Sequence, residues 1–157
     1  MRIIVVSDTH GRSRNLDKVY MKQHSADVFI HLGDGIDDIS SLKDPNIVNR
    51  FVAVKGNVDF SINEPFEKLL VLEEKRIFLT HGHKYNVKKG YEAFIEAARS
   101  KAADIALFGH THLAYCDFID GMYILNPGSL ERPLRGSAKF GIIDIVRGDI
   151  TAYLADV

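Results

Sequence analysis

Asp8 and His10 stand two residues apart in Ser7-Asp8-Thr9-His10-Gly11, and His110 and His112 repeat that spacing in Gly109-His110-Thr111-His112. On an extended segment, an i, i+2 pair turns both side chains to the same side. Gly33-Asp34-Gly35, Gly56-Asn57 and His81-Gly82-His83 add further metal-competent side chains, each with glycine beside it. Asp8, His10, Asp34, Asn57, His81, His110 and His112 together offer two carboxylates, one carboxamide and four imidazoles. Oxygen and nitrogen donors without thiolate suit manganese, zinc or iron better than a cysteine-rich structural zinc site. Seven donors are too many for one catalytic metal that keeps a water position open. They suit two metals about 3.5–4 Å apart that share a carboxylate. Two divalent cations set against two aspartates leave a formal charge of about +2. Such a centre attracts an anion, acidifies water and stabilises charge on a transferring phosphoryl group. A lone Asp or His at a strand end is ordinarily a turn or capping residue. The indication lies in five such ends occurring in one chain.

The donors follow short apolar runs. Ile3-Ile4-Val5-Val6 is β-branched throughout, as expected of a strand buried on both faces. Val28 to Leu32 and Phe51 to Val54 read as further strands. Leu16, Val19 and Tyr20 fall at helical spacing, and Ile36, Ile39 and Leu42 suggest a short helix. Leu69–Leu72 and Ile77–Leu79 flank the charged spacer Glu73-Glu74-Lys75-Arg76, which reads as a hairpin turn. Tyr91, Phe94, Ile95 and Ala98 form an i, i+3, i+4, i+7 stripe on a second helix. From Asp104 the chain is mostly strand-like, with runs at 105–108, 114–119, 122–125, 140–146 and 150–154. Asp120-Gly121 and Arg147-Gly148-Asp149 supply turns. A parallel β-α-β-α-β start and a strand-rich, antiparallel finish predict two sheets packed face to face with helices outside. In such sheets, sites collect at the carboxyl ends of the strands, where these donors lie.

The remaining composition narrows the function classes. At 157 residues the chain suits a single domain over 1–157. Twenty Lys and Arg against 21 Asp and Glu leave no bulk charge to draw it to nucleic acid or an anionic membrane. Cys116 is the only cysteine, so no disulfide forms within the chain, which suits a reducing compartment. Four apolar residues after Met1-Arg2 are too few for a secretory signal, and no stretch has the length of a membrane span. The expectation is a soluble, cytoplasmic protein. Exposed strand edges leave a homodimer open.

Asp8-x-His10, Gly33-Asp34, Gly56-Asn57, His81-Gly82-His83 and Gly109-His110-Thr111-His112 occur in that order, followed by Asn126-Pro127-Gly128-Ser129. The ordered set resembles the calcineurin-like metallophosphoesterases, in particular their small microbial phosphodiesterase branch. The resemblance implies a four-layer α-β-β-α sandwich. It also implies that Asp8, His10 and His112 hold one metal, that Asn57, His81 and His110 hold the other, and that Asp34 bridges. A hydroxide bridging the metals would then attack phosphorus in line with the leaving group, with catalysis resting on Asp34 and His110. Manganese is the favoured metal, with zinc, iron or nickel as alternatives.

One position departs from the pattern. Many larger family members carry a histidine directly after the motif asparagine, and here it is Val58, followed by Asp59. Valine neither donates a proton nor hydrogen-bonds through its side chain. General acid catalysis is worth roughly 10²–10⁴-fold, so esters with poor leaving groups should be turned over slowly. This tilts the reading from phosphomonoesters and nucleotides toward diesters. A non-catalytic scaffold of the retromer-subunit type is the third reading, disfavoured by the full donor set. His83 shares its spacing with His81 and is either a competing ligand or a substrate-facing group. Arg12 either meets a substrate phosphate or solvates a helix start. Gly128 and Ser129 either line the substrate side or form a tight loop. His31, inside an apolar run, reads as a core residue or one that supports a ligand. The stretches 59–67 and 131–137 are the expected specificity loops.

Overall fold

A computed structural model describes residues 1–44, 47–60 and 63–157. Two five-stranded sheets form. The first has strands β1 (Arg2–Val6), β2 (Val28–His31), β3 (Phe51–Ala53), β9 (Lys139–Val146) and β10 (Asp149–Asp156), in the order β10-β9-β1-β2-β3. The second has β4 (Glu67–Leu72), β5 (Lys75–Thr80), β6 (Ile105–Leu107), β7 (Tyr115–Ile119) and β8 (Met122–Asn126), in the order β4-β5-β6-β8-β7. β1 pairs in parallel with β2, and β2 with β3. β9 and β10 close the same sheet antiparallel.

Alternation along β1 separates two cores. Ile3 and Val5 face the second sheet and pack with Ile77, Leu79, Ile105, Leu107 and Leu125. Ile4 and Val6 face outward to Leu16, Val19 and Tyr20 of α1 (Arg14–Lys22), together with Phe29 and Phe140. A strand covered on both sides needs apolar residues at every position, which explains the unbroken β-branched run. On the far side of the second sheet, Phe78, Ala106 and Ile124 meet Phe94 and Ala98 of α2 (Glu92–Ser100). Three apolar layers between four tiers of structure make the α-β-β-α sandwich that the resemblance implied.

Three details differ from the sequence expectation. The segment around Ile36 and Ile39 is a 3-10 helix, Ile36–Ser41. The β4–β5 turn is the pair Glu73-Glu74, both at positive φ (48° and 62°). Lys75 and Arg76 pair with Leu72 and Val71 as part of β5. Two left-handed residues match the twist of a two-residue hairpin, whereas the sequence showed only four consecutive charges. The second half is not uniformly antiparallel, since β6 lies between two parallel neighbours, β5 and β8. That arrangement sends the carboxyl ends of β5 and β6 to one edge, as β1, β2 and β3 do in the other sheet. No helix among the described residues is long and apolar enough to cross a membrane.

Phe94 tests the outer core without touching the donor loops. It is fully buried and its ring lies 4.7 Å from Phe108 and 6.0 Å from Phe78, centroid to centroid. Truncation to alanine should cost about 3–5 kcal/mol of unfolding free energy by urea titration.

Candidate metal centre

Each donor sits just past a strand end, and the backbone there is unusual. Asp8, His10, Asp34, His110 and His112 all adopt positive φ, between 50° and 67°. For a residue with a Cβ, the left-handed region costs about 1–2 kcal/mol. Strain of this kind persists only where the surrounding structure fixes it, and it concentrates at functional sites. The bend has a chemical effect: it turns consecutive peptide groups away so that the side chains converge.

Two donor sets result. Asp8, His10 and His112 form one, and Asp34, His81 and His110 form the other; within each, the ligand atoms lie within 4.8 Å of one another. Asp8 Oδ1 faces His112 Nε2 at 3.2 Å and His10 Nε2 at 3.8 Å. His10 Nε2 and His112 Nε2 are 3.1 Å apart. In the second set, Asp34 Oδ2 lies 3.3 Å from His81 Nε2, which is 3.2 Å from His110 Nδ1. The sets are joined at Asp8, whose Oδ2 accepts from the His110 backbone N–H at 3.1 Å and from Ser7 Oγ at 2.5 Å.

The arrangement fits cations. Asp8 is fully buried, and its Oδ1 has no hydrogen-bond partner. A buried carboxylate oxygen left unpaired is costly unless a positive charge meets it. His112 Nδ1 donates to the Arg132 carbonyl at 3.0 Å, and His81 Nδ1 donates to the Leu32 carbonyl at 2.7 Å. Both bonds fix the tautomer that presents the Nε2 lone pair to the centre, the usual support behind a metal-bound imidazole. Lone pairs that face one another at 3.1–3.2 Å repel unless a proton or a cation lies between them.

The titration of the bare centre reflects this crowding. Burial pushes Asp34 upward, but hydrogen bonding and charge from His81, with the Val58 N–H, hold it at about 2. Burial likewise works against Asp8, yet His112 and His81 keep it below the ordinary carboxylate range. His110 falls to about 4 through burial and the neighbouring His81. His112 rises, chiefly through the Asp8 carboxylate 3.2 Å from its Nε2.

Behind these donors lies a supporting layer whose chief member, Asp59, the sequence reading did not identify. The Asp59 carboxylate accepts four backbone N–H groups. Oδ2 takes Asp34 at 2.7 Å and Gly56 at 2.8 Å; Oδ1 takes Gly35 at 2.8 Å and Ile36 at 3.2 Å. It thereby clamps the Asp34 loop to the loop that carries Asn57. Only its position two residues past Asn57 was visible in the sequence. The two loops also touch through glycines. A Cβ on Gly33 would sit 2.5 Å from Gly56 N, and one on Gly56 would sit 2.0 Å from Asp34 Oδ1.

His31 supports a second junction. Its Nδ1 accepts from the Gly33 N–H at 3.1 Å, so Nε2 carries the proton toward Thr9 Oγ1 at 3.2 Å. Thr9 Oγ1 in turn donates to the Gly35 carbonyl at 3.0 Å. This relay ties the Asp8–His10 loop to the Asp34 loop.

The other expected site residues are distributed unevenly. Asn57 is exposed and lines a cavity of about 310 Å³ with Lys55, Gly56, Asp59, Phe60, Phe66 and His83. His83 is half-buried with its ring 5.5 Å from His81. Arg12 is exposed; its backbone N–H reaches the Thr9 carbonyl, and Gly11 rather than Arg12 lines the cavity beside His10. Gly128 and Ser129 lie buried behind the donors. Ser129 Oγ donates to the Asp8 carbonyl at 2.7 Å, and Asn126 Nδ2 donates to the Gly109 carbonyl at 2.9 Å. The Asn126–Ser129 turn thus braces the Asp8 and His110 loops from below.

With this geometry in place, comparison with known proteins is informative. The sequence profile of the Calcineurin-like phosphoesterase superfamily domain matches residues 1–148. The chain belongs to that superfamily. The Bacillus subtilis protein named probable metallophosphoesterase YsnB is 31% identical over 160 residues, covering 99% of this chain and 91% of the relative. The Escherichia coli phosphodiesterase YfcE is 27% identical, covering 99% of this chain and 92% of its own. A crystal structure of an Entamoeba histolytica Vps29 variant superposes with a TM-score of 0.75 at 22% identity over 100% of this chain and 99% of that one, a likeness of fold alone. This calcineurin-like phosphoesterase is therefore a hydrolytic metalloenzyme, and its donor sets are where divalent metals fit.

Two outcomes test the supporting layer. Gly56 has ordinary φ, so Gly56→Ala perturbs the centre mainly through Asp34; calorimetric manganese affinity should fall roughly 10–100-fold, as when a ligand loses its support. His31 is buried and, chiefly through desolvation, its pKa is lowered to about 4. Between the unfolded value near 6.5 and about 4, the unfolded chain binds a proton that the folded chain refuses. Stability is therefore complete above pH 6.5 and declines by about 3 kcal/mol as pH falls to 4. Urea titrations of chelator-treated protein should show that decline, and His31→Gln should flatten it.

Proposed function

We propose that this chain hydrolyses phosphodiesters with two divalent metals, manganese favoured. The observation that carries the reading is the pair of facing donor sets, Asp8/His10/His112 and Asp34/His81/His110, opening beside a cavity of about 510 Å³. In the reaction a water oxygen bonds to phosphorus, one ester P–O bond breaks, and the departing alkoxide takes up a proton. Bound metals supply Lewis acidity toward the phosphoryl oxygens and lower the pKa of water.

The chain's own residues do the rest. Asp8, His10 and His112 would hold one cation, and His81 and His110, grouped with Asp34, would hold the other; the resemblance adds Asn57 to the second site and a bridging role for Asp34. Arg132 lines the cavity with His10 and Gly11, and its guanidinium is suited to pair with a phosphate oxygen. His83 lies on the opposite rim with Asn57. Burial and the charge of His81 lower its pKa, so at neutral pH it presents an uncharged imidazole.

The preference for diesters rests on Val58. It lines the cavity, and it stands where many larger family members carry a histidine. A good leaving alkoxide needs little protonation, and a diester carries one charge less than a monoester dianion. A catalytic role is favoured over a scaffold because the donor sets are complete and supported from behind.

The test is hydrolysis of bis(p-nitrophenyl) phosphate and p-nitrophenyl phosphate by chelator-stripped protein titrated with manganese. The diester should be turned over in proportion to bound metal and faster than the monoester. Asp34→Asn should lower that rate roughly 100-fold or more, beyond the 10–100-fold typical of residues behind a ligand. A faster monoester would reverse the preference, and no turnover by fully metallated protein would favour a scaffold.

A further inference from the structure

A third cavity, of about 360 Å³, has His112 and Thr111 in its lining, so one residue belongs both to it and to the first donor set. Its other walls are Val87, Tyr91, Leu113 and Leu134, and Lys88 adds an ammonium group. Val87 is buried, and the Tyr91 ring is braced by Phe108 at 4.8 Å and Tyr115 at 5.1 Å, centroid to centroid. The cavity beside His10 differs in character, since Asp37, Asp38, Asp59 and Arg132 line it.

Leu134 is 67% exposed, yet its backbone is fixed. Its N–H donates to the His112 carbonyl at 2.8 Å, and His112 Nδ1 donates to the Arg132 carbonyl at 3.0 Å. The Arg132 N–H donates to Ser129 Oγ at 2.8 Å, and Ser129 Oγ donates to the Asp8 carbonyl. The segment 132–134 therefore straddles a donor residue. Arg132 joins the lining of the cavity on the His10 side, and Leu134 joins the lining of this one. An isolated exposed leucine needs no explanation. Here the leucine completes an apolar recess beside a metal donor, and the recess has the volume that takes a small organic group.

We infer that the recess formed by Val87, Tyr91, Leu113 and Leu134 is the subsite for one ester arm of the substrate, and that this arm is an apolar alkyl or aryl group of a few carbons. With phosphorus at the donor sets, one arm runs past His112 toward Leu134, and the other past His10 toward the cavity that Arg132 lines. The substrate class is then a diester with unlike arms. A hydroxyl-bearing arm gives up water against Leu113 and Leu134 without a partner from either. Each methylene that leaves water there gains roughly fourfold in binding. The assignment rests on the phosphodiesterase reading and adds its substrate class.

The experiment compares the methyl and butyl diesters of glycerol phosphate under manganese. The kcat/KM should be roughly tenfold higher for the butyl diester, and Leu134→Ser should cut that preference several-fold. Phe60→Ala, on the rim of the cavity beside His10, should leave the preference in place. Loss of the preference in Phe60→Ala rather than in Leu134→Ser would put the apolar arm in the other cavity and overturn the assignment. Equal kcat/KM for the two diesters would also overturn it. A binding arm separates these outcomes from failure of the hydrolytic reading. Dialkylphosphinates carry the same single charge on tetrahedral phosphorus, with P–C bonds in place of the ester bonds, so nothing is cleaved. Calorimetry with metal-loaded protein should show butyl(methyl)phosphinate binding roughly tenfold tighter than dimethylphosphinate. Leu134→Ser should narrow that difference, whether or not any diester is hydrolysed. Equal affinities for the two phosphinates overturn the subsite.

Discussion

A carboxylate removed from water beside a cluster of imidazole lone pairs is the interaction on which this structure turns. Asp8 has no solvent exposure, its Oδ1 accepts no hydrogen bond, and His10 and His112 bring nitrogen atoms close to it. A grouping of this kind opposes folding unless a positive charge meets it. The surrounding architecture supplies the means to hold the donors there despite their mutual repulsion. Parallel strands bring the ends together, left-handed residues turn the side chains inward, and backbone amides lock the loops behind them.

The burden is shared unevenly between chemistry and support. The donors themselves are few. Asp59, His31, Asn126 and Ser129 among them bind the backbone of four donor loops. Asp59 is the most economical, since one carboxylate satisfies four amides that a sharp turn would otherwise leave unpaired. The Gly33–Gly56 contact shows why these loops tolerate no side chain: a Cβ on Gly33 would meet Gly56, and one on Gly56 would meet Asp34. Catalytic geometry here depends on backbone packing as much as on ligand identity.

The position of Val58 connects the centre to its specificity. A proton donor at that point would serve poor leaving groups. Val58 instead puts apolar surface on the cavity wall, and exposed Phe60 continues it.

Most of the fold was legible because hydrophobic period is a local property. The β-branched run of β1 and the Tyr91–Ala98 stripe each declared element and facing, and the stripe placed α2 within a residue of its observed start. The donor set was legible for a related reason: residue type and order along the chain survive without coordinates. What the sequence could not decide was which atoms meet. Asp59 looks like any loop aspartate until two separate loops present amides to it, and Ser129 like a turn residue until the Asp8 carbonyl lies above it. The 3-10 form of Ile36–Ser41 and the β5-β6-β8 parallel order likewise follow from long-range pairing. Sequence by itself fixed the chemistry available to this protein, because side-chain identity is covalent. Tertiary structure alone decided the positions, because convergence of distant loops depends on packing and backbone strain that no local pattern encodes.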